Sequence, residues 1–129
     1  MPTVDQHMSR ELLLIGRDAS LAEAATQMVS RGVGAVLVVD GERLAGILTE
    51  RDILKAVGTA HAPTELVGEW MTRHPETIEP GDTTEHAAVL MLHGGYRHLP
   101  VVDAGTLVGI LSIRDLMRIG LADRMPRGV

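Results

Sequence analysis

Apolar residues recur along this chain in two rhythms, one helical and one strand-like. Leu21, Ala24, Ala25, Met28 and Val29 fall at i, i+3, i+4, i+7 and i+8, the apolar face of an amphipathic helix. Ser20 and Glu23 supply a capping box at its start, and Gly32 supplies a stop. The spacing predicts a helix over 20–31. Two apolar runs follow, Ala35 to Val39 and Leu44 to Leu48, with Asp40-Gly41 between them. Short apolar runs around a polar turn predict a hairpin. A second helix is predicted from Thr49/Arg51, and Leu13-Leu14-Ile15 reads as a short extended lead-in to the first.

The same pattern returns 63 residues later without a gap. Gly46-Ile47-Leu48-Thr49-Glu50-Arg51-Asp52 comes back as Gly109-Ile110-Leu111-Ser112-Ile113-Arg114-Asp115, and 13 of the 38 pairs from 18/81 to 55/118 are identical. The second copy predicts a helix from Thr83 with Ala87, Ala88, Met91 and Leu92 on its apolar face, ending at Gly94-Gly95. It loses the capping box, because His86 replaces Glu23. Strands are predicted over His98 to Val102 and Thr106 to Leu111, and a last helix from Ser112/Arg114. The lead-in here is Glu76-Thr77-Ile78-Glu79. Pro100 has no N–H to give, so its strand is expected to pair on one side only at that point.

An unbroken period means one supersecondary unit used twice. The expected fold class is α/β (α+β), two β-α-β-β-α repeats packed about a pseudo-two-fold axis. The repeats run over 8–60 and 71–121, with a linker at 61–70 and a loosely ordered tail at 122–129. A repeat of about 60 residues would bury only about 60% of its unfolded surface. The two are therefore expected to share one core.

Composition narrows the function. A net charge of −5 and an aromatic complement of Trp70 and Tyr96 alone oppose nucleic-acid binding, which needs a basic face and stacking platforms. No apolar run nears the ~20 residues that span a bilayer, and the polar first ten residues do not read as a signal peptide. A cytoplasmic protein is the expectation. With no Cys there is no thiol chemistry, and the six histidines show no metal-ligand spacing. No nucleophile elbow, Walker loop or separate acid/base pair is present, so the chain does not read as an enzyme. The methionines, Met8, Met28, Met71, Met91, Met117 and Met125 among them, read as core filling or a dimer seam.

The chemistry sits in the repeated segment. Each strand ends at Leu48 or Leu111 and a helix starts at once, exposing unpaired N–H groups that suit a phosphate. The hydroxyl of Thr49 or Ser112 can add a hydrogen bond. Asp52 or Asp115, three residues on, can accept from two vicinal ribose hydroxyls, as acidic residues do in dinucleotide folds. The same Thr/Ser-x-x-Asp spacing also matches a capping box, and both readings stand. Arg51, Arg114, Arg97 and His98 are candidate phosphate partners. Ile15, Val36, Ile78, Leu99 and Pro100 are candidate aliphatic walls for a purine, with Tyr96 the aromatic available to stack on one.

The doubled Gly-hydrophobic-x-Ser/Thr-x-x-Asp signature, the segment Val67-Gly68-Glu69-Trp70-Met71-Thr72-Arg73-His74-Pro75 and the strand Tyr96-Arg97-His98-Leu99-Pro100-Val101-Val102 resemble a tandem pair of CBS (cystathionine β-synthase) domains, a Bateman module. The resemblance runs from about Met8 to Leu121. It implies a regulatory module that binds AMP, ADP, ATP, S-adenosylmethionine or NAD in clefts between the copies, commonly as a disc-shaped homodimer. It carries the ribose role to Asp52 and Asp115 and the phosphate role to Thr49 and Ser112, with a separate effector protein reading the bound state. The alternative is a ligand-free dimerisation scaffold.

Overall fold

A computed structural model describes the backbone of residues 1–124 and the side chains of residues 1–120. In chain order the elements are α1 (Val4–His7), β1 (Leu14–Gly16), α2 (Leu21–Arg31), β2 (Ala35–Asp40), β3 (Arg43–Thr49), α3 (Glu50–Gly58), α4 (Val67–Trp70), β4 (Thr72–Arg73), α5 (Thr84–Gly94), β5 (His98–Asp103), β6 (Thr106–Ser112) and α6 (Ile113–Arg124). They form two compact units. The central unit is Glu11–Pro75; the terminal unit joins Met1–Arg10 to the chain from Glu76 onward.

The central unit holds a sheet of order β1-β2-β3-β4. β1 runs parallel to β2, with Leu14 opposite Leu37, and α2 makes the crossover that a parallel pair requires. β2 and β3 form the predicted hairpin, from Ala35↔Thr49 to Asp40↔Arg43. Ser20 Oγ accepts from the Glu23 N–H at 3.1 Å, and Gly32 closes α2 at φ 65°. The apolar face of α2 is narrower than its sequence pattern. Leu21, Ala24 and Met28 are buried, but Val29 is 82% exposed. At about 100° per residue Val29 stands roughly 80° round the helix from Leu21, off the packed stripe. Leu92, its counterpart on α5, is 80% exposed for the same reason.

In the terminal unit β5 and β6 pair from His98↔Ser112 to Asp103↔Thr106. The expected lead-in strand is reduced to one parallel bridge, Ile78 to Val101. Pro100 explains this. In the central unit the Leu37 N–H donates to the Leu13 carbonyl at 3.0 Å; Pro100 occupies the position of Leu37, 63 residues on, and has no donor. Two bonds remain, Ile78 N–H to the Pro100 carbonyl (3.0 Å) and Val102 N–H to the Ile78 carbonyl (2.9 Å). The Pro100 carbonyl points at the lead-in, so its missing N–H would too, and the hairpin ladder is intact. The hairpin turn places Ala104 at φ 49°, where the first copy has Gly41 at φ 63°.

The buried apolar residues gather in two clusters, one in each unit. One gathers Ile15, Leu21, Met28, Val36, Val38, Leu48, Ala56, Val67 and Met71. The other gathers Val4, Ile78, Ala87, Met91, Leu99, Val101 and Leu111, with Met8 packed against it. Each copy supplies the leading segment of the other's unit. Val67, Trp70 and Met71, which lead into the second copy, pack on the first. Val4 and Met8, which lead into the first copy, pack on the second. Val4 is 0% exposed, and Ser9 exchanges two backbone bonds with Ile110. A repeat too small to close its own core thus gains a buried Val and a packed Met from outside its span. The predicted linker residues 67–70 are correspondingly α4.

Met28, Met71 and Met91 fill the cores as expected, whereas Met117 is 59% exposed. Residues 122–124, assigned above to the tail, continue α6; Met125 and the rest of that tail lie outside the described residues. Among the described residues no helix is long and apolar enough to cross a membrane.

Candidate functional site

Both repeated signatures fold into the same strand-to-helix junction. β3 ends at Thr49, still extended at φ −115° and ψ 166°, and α3 begins at Glu50. The chain turns there because Asp52, one turn in, reaches back. Its Oδ2 accepts from the Thr49 N–H at 2.9 Å and from the Thr49 hydroxyl at 3.2 Å. In the terminal unit Asp115 Oδ2 accepts from the Ser112 N–H at 2.8 Å and the Ser112 hydroxyl at 3.0 Å. Ser112 Oγ in turn accepts from the Asp115 N–H at 3.2 Å. All four side chains are half-buried.

The capping arrangement is therefore what this structure contains, at both copies. It spends one oxygen of each carboxylate. A carboxylate offers about four lone-pair sites on two oxygens, so each Oδ1 retains its acceptor capacity. The two differ in their neighbours. Asp115 Oδ1 lies 3.7 Å from Arg118 Nη1, on an arginine that is 70% exposed. The first copy has Lys55 at that position, and among the described residues no ion pair joins it to Asp52.

The junctions are also backed differently. The first N–H of α3, on Glu50, donates to the Gly34 carbonyl at 3.0 Å; that of α6, on Ile113, donates to the Arg97 carbonyl at 2.8 Å. The residues facing Thr49 and Ser112 across the hairpins are Ala35 and His98. Arg97 and His98 are thus brought to the Ser112–Asp115 junction, and Arg51 and Arg114 sit exposed beside their aspartates. Near Gly34 the Glu50 carboxylate takes the open space: its carbon lies 3.3 Å from where a Cβ would stand. Glu50 and Arg118 carry no repeat signal, because both lie where the copies differ.

The candidate purine walls are buried residues of the two cores. Ile15 and Val36 belong to the core of the central unit, Ile78 and Leu99 to that of the terminal unit. Val36 and Leu99 are 0% exposed, Ile78 is 3% and Ile15 7% exposed, and Pro100 is fully buried. Strands covered on both faces read as continuous apolar runs, as these positions do. Tyr96 lies back over Gly94, whose missing Cβ makes the seat.

The signature glycines serve a close approach, as their type suggests, but the approaching group is the borrowed leading segment. A Cβ on Gly46 would lie 2.6 Å from the Thr72 carbonyl oxygen and 2.7 Å from Met71 Sδ. On Gly109 it would meet Met8 Sδ at 2.5 Å and the Ser9 carbonyl at 3.0 Å. The sequence signal for this pairing is the same 63-residue period, which relates Val4 to Val67 and Met8 to Met71.

Two copies of one β-α-β-β-α unit, each with a Thr/Ser-x-x-Asp junction, define a tandem-repeat α+β protein. The chain belongs to the CBS domain family, which matches residues 4–59 and 67–122. It is similar to the solved structure of a protein with CBS domains from Burkholderia ambifaria MC40-6 (35% identity, TM-score 0.92, covering 98% of this chain and 99% of that one). It is also similar to the CBS domain pair of protein MJ0100, solved with 5′-methylthioadenosine and S-adenosyl-L-methionine (26% identity, TM-score 0.90, 96% and 99% covered). A third similar structure is the CBS domain protein PAE2072 from Pyrobaculum aerophilum, complexed with AMP (28% identity, TM-score 0.84, 94% and 98% covered).

Proposed function

We propose that this protein is a regulatory module that binds adenine nucleotides or related adenosyl ligands at its two strand-to-helix junctions. The observation that carries the reading is the twin geometry of Asp52 and Asp115. In each, Oδ2 is fixed by the Thr49 or Ser112 N–H and hydroxyl, which orients the carboxylate and leaves Oδ1 for a ribose diol. The partial positive charge at the starts of α3 and α6 suits a phosphate. The adenosyl ligands of MJ0100 and PAE2072 support the same class. Binding shifts the population of conformations by the difference in affinity between them, and an effector protein reads the shift. The reading involves no catalysis.

The same reading takes the protein as a cytoplasmic homodimer. Val29 and Leu92, and Leu54 and Met117, are exposed apolar residues at equivalent positions of the two copies, and a second copy would cover them. Sedimentation velocity reads that state directly. A thermal-shift panel with AMP, ADP, ATP, S-adenosylmethionine and NAD tests the function. A ligand present at 100 times its Kd stabilises by about 2.7 kcal/mol, so at least one member raises the melting temperature by several degrees. Flat curves across the panel favour the ligand-free scaffold.

A further inference from the structure

We infer that the two junctions divide adenosyl ligands by charge. The terminal unit's junction takes the ligand bearing a 5′-phosphate, and the central unit's takes one that is neutral or cationic at the 5′ position, with Glu50 as the residue that turns phosphate away. The inference rests on the nucleotide reading above.

The two junctions differ in the charged residues around their aspartates. Around Ser112 the copies' shared elements bring together Arg97, His98, Arg114 and Arg118, with Asp115 as the carboxylate. Around Thr49 the same positions are Gly34, Ala35, Arg51 and Lys55, with Asp52 joined by a second carboxylate, Glu50, where the other copy has Ile113. Three guanidiniums and an imidazole stand against one acid in the terminal unit. Two cations stand against two acids in the central one.

Placement sharpens the contrast. The Glu50 carboxylate lies over Gly34, its oxygens 3.4 and 3.5 Å from the Cβ position there. Gly34 is also the residue whose carbonyl takes the first N–H of α3. A carboxylate beside a helix start is favourable in itself. It supplies the negative charge that a bound phosphate would bring, and repels a second one. Where the central junction has Glu50 the terminal one has Ile113, and its backing residue is Arg97, which can add a charge-assisted bond to phosphate. A unit charge about 12 Å away, at the effective dielectric of a protein surface, changes affinity by about tenfold.

The test is calorimetric titration of the full chain with AMP and with 5′-methylthioadenosine, which lacks the phosphate. AMP is expected to bind one site, abolished by Asp115→Ala, at least about tenfold more tightly than the site abolished by Asp52→Ala. Glu50→Gln is expected to raise the ratio of AMP to methylthioadenosine affinity at the weaker site by about tenfold. Equal AMP affinity at both sites, or an unmoved ratio in Glu50→Gln, overturns the division by charge and leaves the nucleotide reading standing. No heat from either compound overturns both.

Discussion

Alanine at Gly46 is expected to destabilise the protein by about 2–3 kcal/mol, and alanine at Gly109 by about 1–2 kcal/mol. At Gly46 the new methyl meets a backbone carbonyl, Thr72 O at 2.6 Å, as well as Met71 Sδ. The carbonyl cannot yield without breaking the pairing of β4 with β3, Gly46↔Arg73 and Ile47↔Thr72. At Gly109 the nearest atom is the flexible end of Met8, and the backbone stands off at 3.0 Å. The two sites therefore separate in a double-mutant cycle. Met8→Ala is expected to rescue Gly109→Ala by about 1 kcal/mol, and Met71→Ala to rescue Gly46→Ala much less. Gly16→Ala, with nothing within 4 Å of its Cβ position, is the control and stays within about 0.5 kcal/mol. Urea denaturation of the set measures all of this. Neutral alanines at Gly46 and Gly109 would mean that the leading segments are not seated as described.

The second large effect concerns the aspartates, and is on binding. Asp52→Asn and Asp115→Asn keep a side-chain oxygen for the Thr49 or Ser112 N–H but remove the anion. Loss of its interaction with the helix start is worth about 0.3–1 kcal/mol, so each variant folds with a modest loss of stability. Hydrogen bonds to charged groups contribute about 1.5–3 kcal/mol, so affinity for an adenosyl ligand falls about 10- to 100-fold at the altered junction. Alanine at either position adds the loss of the cap, about 1 kcal/mol more in stability. Calorimetry and denaturation on the same samples separate the two roles. Stability lost with binding intact would mean that these carboxylates only finish helices.

Much of the fold was legible because its signals are local. The helix periodicity, the Gly32 and Gly95 stops, the hairpin turns and the pairing defect at Pro100 each lie within a few residues of their effect. The exchange of leading segments was not legible in that way. α1 and α4 are four residues each, too short to show a period, and Ser9 pairs with Ile110 about a hundred residues away. The burial of Val36 and Leu99 was not legible either, since an apolar strand reads alike whichever surface covers it. At the candidate site the repeated Thr/Ser-x-x-Asp spacing gave the junction and its capping bonds. Glu50 escaped notice for a general reason: matching two copies draws attention to what they share, whereas specificity lies in what they do not.

The central claim is that Asp52 and Asp115 hold the two ribose hydroxyls of an adenosyl ligand. Calorimetric titration with AMP and with its 2′,3′-dideoxy analogue tests it most directly, because the two differ only in those hydroxyls. The account predicts that the dideoxy compound binds at least about tenfold more weakly. Equal affinity for the two compounds would contradict it.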